Sequence, residues 1–131
     1  MFESDRQTIE DYLGDQYSST AIEWDSVEFD QLVHSEYISC FIRHGKAGLV
    51  SVGGAQKNYK RSGQLALIIF TEWGSGQKRS NEIADILVGI FQGKQLNDVQ
   101  FKSFELINVG KNQERYRQNM YWYYEARNCL T

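Results

Sequence analysis

Histidine and cysteine are the side chains best suited to nucleophilic or metal chemistry, and the chain carries two of each: His34, His44, Cys40 and Cys129. A thiolate–imidazole pair needs its two groups within hydrogen-bond reach. Cys40 and His44 lie four residues apart in a segment that alternates like a strand, so they share a face yet stand ~13 Å apart at ~3.3 Å per residue. Cys40 also falls in phase with Ile38 and Ile42, where a buried thiol behaves as a small hydrophobe. Zinc needs three or four nitrogen or sulfur ligands, and neither CxxC nor HxxxH occurs. The acidic first third has no EF-hand spacing. Gly74-Ser75-Gly76 precedes a helical pattern, as a phosphate cradle would, but the P-loop and GxGxxG spacings are both absent. It reads as a strand-to-helix turn. No catalytic, cofactor or metal residue is expected, and the chain is expected not to be an enzyme.

Binding chemistry is better represented. Lys57, Lys60 and Arg61 surround Tyr59 in a segment that is either a basic loop or the exposed start of a strand. The run Tyr121-Trp122-Tyr123-Tyr124 puts large rings on both faces of one strand. If one face packs the core, Tyr121 and Tyr123 need cover from elsewhere in the fold or from a partner chain. Charge is divided along the chain: residues 1–36 hold ten acids against Arg6 alone, and residues 37–131 hold seven acids against thirteen bases. The two segments either neutralise each other within one protomer or join one copy to the next. The interface candidates are Lys57, Tyr59, Lys60, Arg61, Tyr121 and Tyr123. Scattered bases in a chain of net charge −3 argue against specific nucleic-acid recognition.

These residues need a scaffold, and 131 residues with 41% hydrophobic and 24% charged content suffice for one globular domain spanning the chain. No apolar run is long enough to cross a membrane. The first twenty residues hold five acids and one base, which predicts no cleaved signal peptide. Two cysteines make no disulfide framework, so a reducing compartment is expected. Proline is absent.

Periodicity predicts a first helix over 2–16, with Phe2, Ile9, Tyr12, Leu13 and Gln16 on one stripe and Asp5, Arg6, Glu10 and Asp11 facing away. Residues 20–29 are extended, with a bend near Asp25-Ser26 where the alternation changes phase. Segment 36–44 is a strand, 44–48 a turn and 49–52 a short strand, broken by Gly53-Gly54. The apolar run Leu65 to Phe70 predicts a central strand over 64–71. Ile83, Ile86, Leu87, Ile90 and Phe91 predict a helix over 77–92, with Ser75 as N-cap and Gly93 just past its end. Two further strands, 99–107 and 114–127, flank a loop at 108–113. The fold class expected is α+β: a mixed, mainly antiparallel sheet of four to six strands with two main helices packed on it.

The middle of the chain resembles a known family. Trp24, Val27 and Phe29 form a W-x-x-V-x-F element, followed by a strand and a glycine turn. Tyr59 to Gly63 reads Tyr-Lys-Arg-Ser-Gly, and the strand ending Ile69 to Thr71 is followed by Gly74 to Gly76. A helix with Ile83-Ala84-Asp85 then ends at Ile90 to Lys94. This order is similar to small phage and prophage proteins of the tail terminator type, related to the lambda-type terminator. The resemblance implies a structural virion protein without catalytic residues. It implies a ring, as a hexamer, on the last tail-tube ring, which ends polymerisation and offers a surface to the head. Its partners would be further copies of itself, the tail-tube protein and a head-completion protein. It would assemble in the bacterial host cytoplasm and reside in the virion tail. Another head–tail connector is the alternative, followed by a small α+β ligand-binding domain or enzyme.

Overall fold

A computed structural model describes the backbone of residues 2–53, 56–74, 76–112 and 114–130. Side chains are described over the same residues except 32, 49–53, 56–59, 76, 112 and 128–130. In chain order the elements are α1 (Phe2–Gln16), β1 (Ala21–Trp24), a 3-10 turn (Gln31–Val33), β2 (Tyr37–Gly53), β3 (Gln56–Glu72), α2 (Gly76–Phe91), β4 (Gln95–Leu96), β5 (Val99–Asn112) and β6 (Arg115–Leu130). The strands form one six-stranded sheet in the order β1-β2-β3-β6-β5-β4. Only the β1–β2 pairing is parallel; the others are antiparallel. The α+β class expected from the element order is the one found.

Alternation explains the core. Leu65, Leu67 and Ile69 of β3 lie opposite Trp122, Met120 and Gln118 of β6, and Ile42, Cys40 and Ile38 of β2 lie on their other side. This set meets Ile9 and Leu13 of α1 and Ile83, Leu87 and Phe91 of α2 in one buried cluster, with Ile42 partly buried at its margin. Both helices therefore cover the same face of the sheet. The Tyr12 hydroxyl donates to the Ile90 carbonyl at 2.8 Å and ties one helix to the other. At the end of α2, Gly93 takes φ +70°, the left-handed conformation that glycine adopts cheaply. Ser75, the expected N-cap, lies outside the described residues.

Three expectations are corrected and one open alternative is resolved. Residues 44–48 are not a turn, because β2 runs through them with register shifts between His44 and Ala47 and between Leu49 and Ser51. Gly45 permits this: a Cβ there would stand 2.6 Å from the Ser62 carbonyl oxygen. Of the two readings left open for residues 57–61, the strand is the one found, paired with β2 on one side and β6 on the other. Residues 108–112 are also ladder, reaching Asn112 opposite Arg115, with an irregularity between Asn108 and Gly110 where Gly110 takes φ +91°. Asp5 does not face away; it is 3% exposed. Within the α2 stripe, Leu87 and Ile83 are fully buried while Ile86 lies at the rim. The expected bend is present at Ser26, which takes φ +62°. β4 was not expected; Asn97 at φ +52° turns it back onto β5.

Candidate functional site

Side chains alternate across the sheet, so one face of each strand lies under the helices and the other faces away. On β6 the helix-facing set is Tyr116, Gln118, Met120, Trp122, Tyr124 and Ala126, all buried. The opposite set includes Arg117, Asn119, Tyr121, Tyr123 and Glu125. Residues 25–36 cover one end of that second face. Phe29 packs on Tyr37 at 5.1 Å between ring centroids and on His34 at 4.9 Å, and Tyr37 stacks on Phe70 at 4.7 Å. Arg115 donates to the His34 carbonyl at 2.7 Å and to the Gln31 carbonyl, and its guanidinium lies 5.2 Å from the centroid of the Tyr37 ring. Beyond this cap the face is open. Ile68 and Tyr121 are half-buried there, and Tyr123 and Ile107 are about two-fifths exposed, at 40% and 41%.

The open face is ringed mainly by bases, with the exposed Glu105 of β5 opposite Tyr121. Arg43, Lys102 and Arg127 are exposed, and Lys60 and Arg117 are half-buried. Glu125 sits among them, bound by Lys60 at 3.1 Å and within 3.9 Å of Lys102. The Lys60 hydrogen bond holds the Glu125 carboxyl below its ordinary pKa. A shallow depression of about 370 Å³ lies at this site, lined by residues including Arg43, Gln64, Lys102, Tyr123 and Glu125.

The six interface candidates are not brought together. Tyr121, Tyr123 and Lys60 lie on the open face. The side chains of Lys57 and Tyr59 lie outside the described residues. Arg61 is internal: it is 2% exposed, and its Nε and Nη2 donate to Asp5 Oδ2 and Oδ1 at 2.6 and 2.7 Å. Both partners were legible by phase. Asp5 precedes Ile9 by four and Leu13 by eight, so it lies on the apolar stripe of α1. Arg61 shares strand parity with Leu65 and Leu67. A charge in each core-facing series called for a buried partner of opposite sign. Part of the charge division is thus neutralised within the protomer, by this pair and by Arg79–Glu36 at 2.8 Å.

Among the described side chains the groups considered for chemistry are dispersed, and that of Cys129 lies outside them. Cys40 is 2% exposed, and burial pushes its thiol up to about 12. His34 packs on Phe29, and His44 packs on Phe2 at 4.9 Å. Among the described residues no group of three His, Cys, Asp or Glu side chains could hold a metal ion, and no helix is long and apolar enough to cross a membrane.

No curated protein matches the chain. Among the solved structures that match, one superposes with a TM-score of 0.62 at 12% identity, covering 92% of this chain and 94% of that one, which shows a shared fold. The sequence pattern of the phage tail terminator proteins matches residues 6–124, most of the chain. The chain belongs to the phage tail terminator protein family, a family of tail structural proteins and not of enzymes.

Proposed function

We propose that the protein closes the phage tail tube as a ring of identical subunits, as a hexamer, and so ends tube polymerisation. The outer side of the ring then receives the head-completion protein. Assembly takes place in the bacterial host cytoplasm, and the product stays in the virion tail. The family match over residues 6–124 carries this reading. The fold is consistent with it, because an aromatic, basic sheet face lies open while the chemistry-bearing side chains are dispersed. A ring needs a heterologous contact, in which one surface patch meets a different patch on the next copy.

Tail length in phage lacking this gene tests the proposal. Loss of the protein should give tails of uncontrolled length that fail to join heads, seen by electron microscopy, and supplying the protein in trans should restore uniform tails. Tails of normal length that still lack heads would favour a connector at the neck instead.

A further inference from the structure

A sheet with large side chains on both faces needs cover on both. Here the helices cover one face, and residues 25–36 cover only the end of the other near Tyr37. The uncovered part holds Tyr121, Tyr123 and Ile107 among basic side chains. On the far side of the protomer, α1 turns Glu3, Asp11 and Asp15 to solvent and has no base in its last turn. Its single base, Arg6, is held by Glu3 and Glu10. The outer face of α1 is thus acidic, while the open part of the sheet face is mainly basic.

We propose that the open sheet face seats the acidic outer face of α1 from a second copy, so that each copy's helical layer completes the next copy's sheet. This rests on the reading of the protein as a ring subunit and names the surfaces that join. The dimensions agree. A helix of 15 residues is about 22 Å long, and the open stretch of β6 from Arg117 to Glu125 spans about 26 Å. Tyr121 and Tyr123 supply apolar area at the centre, and Lys102 and Arg127, which line one depression at the rim, meet Asp11 and Asp15. The two patches differ, so the contact is heterologous and can close a ring. Because the two patches lie on opposite sides of the protomer, a two-fold contact through either one would set acid on acid or base on base.

Cross-linking tests the pairing. Asp11→Cys and Tyr123→Cys are made as separate proteins in a Cys129→Ser background and treated with a short bismaleimide, singly and mixed. Both positions are exposed, so the substitutions spare the core. A cross-linked dimer should form only in the mixture, and the protein carrying both cysteines should give a ladder up to the full ring. A product from either single variant alone would overturn the arrangement. An intact oligomer without the mixed product would also overturn it, while normal tails in complementation would leave the proposed function standing. A protein that stays monomeric yet still controls tail length would likewise refute docking of copy on copy.

Charge exchange gives a second reading. Asp11→Lys/Asp15→Lys should weaken subunit association roughly tenfold, as should Lys102→Glu/Arg127→Glu. Combining all four should return it to within about threefold of the original, since each partner is then restored with its sign exchanged. A fourfold variant weaker than either pair would sink the proposed contact.

Discussion

Removing Arg61 would strand the Asp5 carboxylate in the core, because each is the other's bidentate partner and both are buried. Arg61→Ala should therefore cost about 3–5 kcal/mol in urea denaturation. An apolar replacement of both, Asp5→Leu/Arg61→Met, should recover most of that loss, because no charge is then left unpaired. Titration offers a second residue-scale check. Burial raises the Tyr124 phenol from an ordinary 10.0 to about 12. A raised folded-state pKa means the unfolded chain loses this proton first. The stabilisation is full below pH 10 and is lost as pH rises through about 12. Tyrosinate absorbance should show this step at higher pH than that of exposed tyrosines, and Tyr124→Phe should remove it. The Cys40 thiol, raised by the same burial, should react with a thiol reagent only on unfolding when Cys129 has been replaced by serine.

At the scale of elements, close approach decides more than propensity does. A Cβ on Gly63 would stand 2.3 Å from the Tyr124 ring. Gly63→Ala should therefore destabilise by roughly 1–3 kcal/mol through forced displacement of that ring, measurable as a lowered midpoint of thermal unfolding. In α2, Leu87 is fully buried between β3 and β6, and Leu87→Ala should cost about 2–5 kcal/mol. Ile86→Ala, two-fifths exposed on the same helix, should cost clearly less. Periodicity alone gave these two isoleucine and leucine positions equal weight. The rim position of Ile86 depends on how far α1 and the sheet reach around α2.

At the scale of the molecule, function should be indifferent to the histidines and to Cys40. His34→Ala, His44→Ala and Cys40→Ala proteins that fold should each complement a phage lacking the gene. A folded His44→Ala protein that fails to do so would point to a functional histidine. The subunit joint should be mixed in character. Its charged rim is screened over ~8 Å at physiological salt, while its aromatic centre is not. Light scattering across a salt series should thus show association weakening as salt rises without disappearing.

The sequence by itself determined the α+β class, both helices and the alternating faces of the long strands. Each of these follows from local periodicity or spacing, which needs no knowledge of neighbours. Only the tertiary structure decided that β2 and β5 run through glycines that read as a turn and a loop. Ladder hydrogen bonds from an adjacent strand hold such backbone extended, and no local signal announces that strand. Phase already set Arg61 and Lys60 on opposite sides of a strand, but only the fold showed that α1 lies over the Arg61 side. Adjacent residues on a strand point to opposite faces, and the face covered by α1 made one a buried partner of Asp5 and left the other beside Glu125 on the open side.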